Sequence, residues 1–268
     1  MNTSRPSIEI LISTMNRAEP PPVLDGVEPA QGLALLVINQ CTTIEPPPAM
    51  AEGRRRMISV RERGLSRSRN LALDNASSDI VVIGDDDVSY LPDVASTVER
   101  AFAHLPEAAI VTFQYLDADS GRPAKAYGEW ASRHDVRSIG SVSSIEIALR
   151  PSRLGGLRFD TRFGLGTGLP MGEESIFLAD ALRVGLPVHY WPAPICAHRG
   201  PGTGHSEWTA ETARVKGAVM RRMFPLGWPA ALAALAYGNL GRVRAVGFGS
   251  FMRSAVGGAI SAPRARAR

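Results

Sequence analysis

Asp85, Asp86 and Asp87 place three carboxylates in a row directly after the apolar run Ile80-Val81-Val82-Ile83-Gly84. Adjacent anions repel one another unless a cation or a hydrogen-bonded ligand sits among them, and hard oxygen ligands suit Mg²⁺ or Mn²⁺. The run before them reads as a buried strand, and in open α/β sheets ligands collect beyond the carboxyl ends of strands. The same residues also suit an acidic turn capping a helix that starts near Pro92, since Asp is a common turn former. Further along, Glu173 and Glu174 open a helix expected to end at Gly185. Carboxylates in that position either accept a proton during catalysis or simply answer the helix dipole. His198 follows the apolar strand Val188-His189-Tyr190-Trp191. An imidazole there is either a structural residue or a metal ligand.

The surrounding elements must bring these groups together. Strands are expected at 7–14, 33–38, 57–60, 80–84 and 109–115, with another near 143–149, and helices at 65–76 and 93–104. This alternation is the βαβ pattern of a mostly parallel sheet. Residues 155–172 contain six glycines and read as a mobile loop over the site, suited to closing on substrate.

The ordered set of motifs is more specific than any one of them. A strand at Ile8–Thr14 leads into Asn16-Arg17; then come Gly64-Leu65-Ser66-Arg67-Ser68-Arg69-Asn70, the apolar strand, and Asp85-Asp86-Asp87. The second half adds Phe159-Asp160-Thr161-Arg162-Phe163, Glu173-Glu174-Ser175-Ile176-Phe177 and His198. This order, from about residue 7 to 200, closely resembles the family 2 glycosyltransferases. The resemblance implies a GT-A fold, an α/β Rossmann-like architecture with a mixed, mostly parallel sheet flanked by helices. It also implies metal-dependent, inverting transfer of a sugar from a nucleotide-diphosphate donor to a hydroxyl of a glycan, lipid-linked or other acceptor.

Carried over position by position, the resemblance gives Asp87, Asp85 and His198 as ligands for Mn²⁺ or Mg²⁺, with His205 a weaker rival to His198. Asp85 is alternatively a ribose contact, and Asp86 points toward the sugar. Thr14, Asn16, Arg17, Asn39, Ser66, Arg69, Asn70, Asp85 and Asp86 are the expected nucleotide-sugar contacts, and Arg199 is placed to meet the diphosphate. Glu174 is the expected general base, with Glu173 nearer the acceptor hydroxyls. The sequence departs from the family pattern at Asn39-Gln40, where many members carry an aspartate run that reads the base, and at Glu173-Glu174, where a Glu-Asp pair is usual. A phosphatase of the haloacid dehalogenase type also places Asp-x-Asp after a strand, but its later acidic metal motif is missing. A catalytically degenerate, nucleotide-sugar-binding scaffold is the other reading; intact Asp87 and Glu174 argue against it.

At 268 residues and 44% hydrophobic content, the chain can bury a full core. Residues 1–208 are expected to form the catalytic domain and residues 209–268 a basic, amphipathic extension. Cys41 and Cys196 lie in apolar strands without metal-ligand spacing and are expected to be buried free thiols, as in a reducing cytosol. Neither a signal peptide nor a spanning segment is visible, so a cytoplasmic location is expected.

Charge is split along the chain. Through Trp208 there are 20 basic and 25 acidic residues; from Thr209 onward there are 10 basic and one acidic. Lys216, Arg221, Arg222, Arg242, Arg244, Arg253, Arg264, Arg266 and Arg268 are interleaved there with Phe224, Trp228, Tyr237, Phe248 and Phe251. Such a segment either lies on an anionic leaflet, at the inner face of the membrane, or packs its first helix on the core with a loose extension beyond. No nucleic-acid-binding module is present.

Overall fold

The long apolar runs become the centre of one sheet. In the computed structural model, which describes residues 5–21, 32–200 and 208–262, ten strands are joined edge to edge. They are β1 (Ile8–Met15), β2 (Leu33–Gln40), β3 (Met50–Glu52), β4 (Arg55–Val60), β5 (Ile80–Asp85), β6 (Val88–Tyr90), β7 (Ile110–Asp117), β8 (Ser132–Arg133), β9 (Ile147–Leu149) and β10 (Val188–His198). Their order is β3-β4-β2-β1-β5-β9-β7-β10-β6, with β8 beside β10. The long pairings, β4 with β2, β2 with β1, β1 with β5, and β7 with β10, are parallel. The antiparallel ones are short, and β9 is wedged between β5 and β7.

Helices cover both faces of the sheet, which is why the central strands are apolar throughout rather than alternating. Leu11, Leu36, Ile38, Val81 and Ile83 point into a core shared with α3 (Glu173–Arg183) and α4 (Ala210–Met223), and α1 (Leu65–Asn75) adds Ala72 and Leu73. Their strand neighbours Ile10, Ile12, Leu35, Val37, Ile80 and Val82 point the other way, against α2 (Val94–His104) through Val94, Val98 and Phe102. Cys41 and Cys196 are buried free thiols.

Some elements depart from the sequence reading. The strand expected near 143–149 is only three residues long, because 3₁₀ turns over Ser138–Ser141 and Ser144–Glu146 precede it. β10 runs on past Val188-His189-Tyr190-Trp191 through Pro192 and Pro194; the prolines are accommodated by register shifts against β7. The glycine-rich segment is tethered to α1. Ser66 Oγ donates to the Phe163 carbonyl at 2.7 Å, and Leu65 N donates to Leu165 O at 2.9 Å.

The C-terminal residues are folded helices rather than a loose extension. α5 (Trp228–Gly238), α6 (Leu240–Val246) and α7 (Phe248–Ser261) enclose a small core of Trp208, Ala213, Leu232, Ala236, Val243, Phe251 and Ala255. α4 belongs to both parts, since its Val215, Ala218, Val219 and Met223 lie in the main core. α4 and α7 cross at bare backbone. A methyl group on Gly217 would lie 1.8 Å from the Ala255 carbonyl oxygen, and one on Gly258 would lie 1.9 Å from that of Arg214. Gly217→Ala is therefore expected to cost about 1–3 kcal/mol, as overpacking does. Urea unfolding checks this, and a midpoint equal to wild type would mean that the two helices separate freely.

Arg222 corrects one expectation about the tail. It is buried, and its guanidinium donates to Asp160 at 2.9 Å and to both oxygens of Asp180. It fastens α4 to the main domain and is not available to an outside anion. Arg242, Arg244 and Arg253 remain exposed. His205, Arg264, Arg266 and Arg268 lie outside the described residues.

Candidate active site

The carboxyl ends of β1 and β5, the start of α3, and the end of β10 converge on one cavity of about 1020 Å³. β6 follows the aspartates immediately and pairs antiparallel with β10, Val88 opposite His198. That register brings His198 beside the residue before Val88, and His198 Nε2 lies 3.2 Å from Asp87 Oδ2. The two are 111 residues apart in sequence. The Asp87 carboxylate is the oxygen ligand that Mn²⁺ or Mg²⁺ prefers, and the His198 imidazole stands beside it. Among the described residues no group of three or more His, Cys, Asp and Glu forms a closed metal cage. Asp87 and His198 thus fit a cation that would take further oxygens from a bound ligand.

The other two aspartates are held by protein donors. Asp86 accepts hydrogen bonds from the Thr14 hydroxyl and, at 3.2 Å, from Arg17 Nε, which turns it toward the end of β1. Asp85 accepts from Arg69 Nη2 at 3.0 Å and from Ser144 Oγ at 3.3 Å. Arg69 rises from α1 into the space between strand and helix. Only 2% exposed, it also donates from Nη1 to Glu173 Oε1 at 2.8 Å. Burial alone would lower its pKa, but Asp85, Glu173 and Glu174 outweigh that and raise it. Arg69 is a permanent cation tying the acidic strand end to the start of α3.

Several predicted contacts are committed elsewhere in the protein. Asn39 is fully buried beneath the Asn16-Arg17 turn; it accepts from Arg17 N at 3.1 Å and donates to Arg17 O at 2.7 Å. Asn16, with a left-handed φ of 53°, accepts from the backbone of Thr42 and Thr43 and so pins the loop after β2. Asn70 clasps the backbone of Phe159 in both directions, at 2.8 and 2.9 Å. Ser66 is spent on Phe163. None of these four side chains is among those lining the cavity; Thr14, Arg69, Asp85, Asp86, Asp87, Glu173, Glu174, His198 and Arg199 line it.

Glu173 and Glu174 are positioned by Gly172. Its φ of 81° starts α3, and Val219 of α4 packs so close that a side chain at this position would meet it at 2.7 Å. The helix dipole favours carboxylates in this first turn. Glu173 is consumed by Arg69, whereas Glu174 faces the cavity with part of its surface open. Burial, and then the neighbouring charge of Glu173, push the Glu174 carboxyl up to about 8.

Sequence reasoning missed the opposite walls. Lys125 donates to Ser143 Oγ at 2.8 Å and to Glu146 at 3.0 Å and sits over the Tyr115 ring. On the α4 side, Trp208, Thr212 and Lys216 line the cavity. No local pattern marks Lys125, Trp208 or Thr212, and Lys216 reads only as part of the basic tail, because tertiary packing alone brings them to the site.

The family model for glycosyl transferase family 2 matches residues 35–161, a span holding α1, the β5 strand end and its three aspartates. Over that span the chain is similar to the family 2 glycosyltransferases. Its sheet and flanking helices share the GT-A fold with solved glycosyltransferases. S. aureus TarS 1–349 in complex with UDP-GlcNAc is 13% identical, with a TM-score of 0.59 over 81% of this chain and 66% of that one. The mannosyltransferase PcManGT from Pyrobaculum calidifontis, in complex with GDP-Man and Mn²⁺, is 17% identical, with a TM-score of 0.51 over 97% of this chain and 77% of that one. The chain therefore spans slightly less than two thirds of the TarS fragment. No curated protein sequence matches it significantly.

Proposed function

We propose that the protein is a metal-dependent, inverting glycosyltransferase that moves a sugar from a nucleotide-diphosphate donor to an acceptor hydroxyl. The observation that carries this reading is that Asp87 with His198, and Glu174, come from three distant segments to line one cavity, and that the segment bearing Asp87 matches the family 2 model. The complexes of neighbouring folds with UDP-GlcNAc and with GDP-Man and Mn²⁺ support it.

Asp87 and His198 would hold the divalent ion, which neutralises charge developing on the departing diphosphate. Glu174 takes the acceptor proton as the hydroxyl oxygen bonds to the anomeric carbon and the bond to the diphosphate breaks on the opposite face. Arg69 holds Asp85 and pairs with Glu173 beside Glu174, and Asp86 with Arg17 and Thr14 fixes the β1 end of the donor pocket.

The test is Asp87→Asn. Thermal stabilisation by nucleotide sugars, screened with and without Mn²⁺ or Mg²⁺, reports donor binding by mass action. The wild type is expected to be stabilised only when both are present, and Asp87→Asn to lose that response while melting normally alone. Metal-dependent stabilisation that survives the substitution would remove Asp87 from the site.

The C-terminal helices are proposed to rest on an anionic membrane. Among the described residues no helix is long and apolar enough to cross one. α5 contains no charged residue, yet Pro229, Ala230, Ala233, Ala234 and Tyr237 are exposed on it, flanked by Leu226 at 97% exposure. The exposed Arg242, Arg244 and Arg253 lie on the helices that follow. Apolar area combined with cations suits an acidic interface, each nearby cation contributing about 1 kcal/mol. Cosedimentation with phosphatidylglycerol vesicles is expected to fall in Leu226→Ser/Tyr237→Ser and to weaken with salt. Equal cosedimentation with neutral vesicles would argue against a charge-directed contact.

A further inference from the structure

Among the described residues Lys216 has no carboxylate within ion-pair distance. It projects from α4 into the same cavity as Glu174, and its Nζ lies 4.7 Å from the centre of the Trp208 ring. Arg242 of α6 approaches the same ring at 5.8 Å. Neither cation forms an ion pair among the described residues, although the other basic residues of α4 are satisfied: Arg214 by Glu211, Arg222 by Asp160 and Asp180, and Arg221 by the Pro225 carbonyl. The buried indole N–H of Trp208 likewise has no acceptor there. Trp208 stacks on Phe251 at 5.6 Å, so the ring is fixed in place.

Two like charges held against one ring beside a cavity gain from an anion between them. Burial and Arg242 push the Lys216 ammonium down, and Glu174 opposes them. An ordinary structural lysine on a helix would swing its head into water or onto a nearby carboxylate. The surroundings also indicate what carries the anion. Val219, Met220, Met223 and Leu235 line the same cavity as Lys216, giving it an apolar wall.

We propose that Lys216 and Arg242, set against Trp208 on the α4 side of the cavity, form a subsite for a phosphate group borne by the acceptor. The subsite is separate from the Asp87–His198 pair that would face the donor's diphosphate, and it deepens the glycosyl-transfer reading, on which it rests, by naming the acceptor class. The phosphate belongs either to a lipid-linked saccharide or to a soluble phosphorylated one; the chemistry at Lys216 is common to both.

The experiment uses the full chain with Mg²⁺ and a saturating nucleoside diphosphate, so that the donor pocket is filled. Inorganic phosphate and geranyl phosphate are then titrated by calorimetry. Both are expected to bind the wild type, and both at least tenfold more weakly to Lys216→Gln. Arg242→Gln, an exposed substitution that tests the same subsite without risk to the fold, is expected to weaken them as well, and Lys216→Arg to retain them. Geranyl phosphate binding much more tightly than inorganic phosphate identifies the lipid-linked class; equal binding identifies the soluble one. Nucleoside-diphosphate binding that persists while neither phosphate binds overturns the subsite alone. Phosphate binding that is indifferent to Lys216 and Arg242 also overturns it. Loss of metal-dependent nucleoside-diphosphate binding in the wild type would instead overturn the underlying reading of the cavity.

Discussion

Glu174→Gln is expected to lower sugar transfer by roughly 10² to 10⁴-fold, the span associated with a positioned general base, while donor and metal binding persist. The amide keeps the shape of the carboxyl and cannot take a proton. A base must be unprotonated to act, and this carboxyl is held up to about 8 by burial and by Glu173. Transfer should therefore rise with pH well above the ordinary carboxylate range. Glu173→Gln removes the neighbouring negative charge, so it should move that rising limb to lower pH. A Glu173→Gln profile shifted to higher pH, or a Glu174→Gln enzyme of normal rate, would exchange or abolish these roles. The same proton bears on stability. Between the ordinary glutamate range and about 8, the folded chain holds it more tightly than the unfolded chain, so stability falls as pH rises through that window.

Arg69→Met is expected to destabilise the protein by about 3–5 kcal/mol, the cost of breaking a buried pair from one side. The guanidinium is only 2% exposed and bridges Asp85 to Glu173, itself 6% exposed. Removing it leaves the buried Glu173 carboxyl without its cation and close to Glu174. Arg69→Met combined with Glu173→Gln should recover part of the loss, because the orphaned charge is gone. Urea unfolding of the single and double variants decides this. A single variant that unfolds within 1 kcal/mol of wild type would mean that water compensates the site and that the bridge contributes little.

The acidic strand end, Glu174 and His198 were legible because each sits where a local pattern changes, from an apolar strand to charge or from glycine to helix. Their convergence follows from sheet topology that the βαβ alternation implies. Side-chain direction was not legible. Asn16, Asn39, Ser66 and Asn70 have the polarity of ligand contacts, yet each satisfies backbone groups of neighbouring turns, a competing use of the same hydrogen-bonding atoms. Arg222 looked like one more surface cation because its partners Asp160 and Asp180 lie 62 and 42 residues upstream. Lys125 carried no signal, since an isolated lysine is ordinary on a solvated face; Lys216 reads as part of the basic tail, and its place in the cavity wall comes from tertiary packing. The length of β10 beyond Trp191 was not legible, because a register shift against β7 lets the strand absorb two prolines.

Helix α4 presents one side to the cavity through Thr212, Lys216 and Val219 and the other to α7 through the bare backbone at Gly217. A helix shared in this way cannot open on one side without disturbing the other. α7 and the cavity wall should accordingly form a single cooperative unit, whose local opening energy is common to both. Any ligand that braces the α4 wall should slow amide hydrogen exchange in α7, at residues it never touches, by the same free energy with which it binds the closed form in preference to the open one.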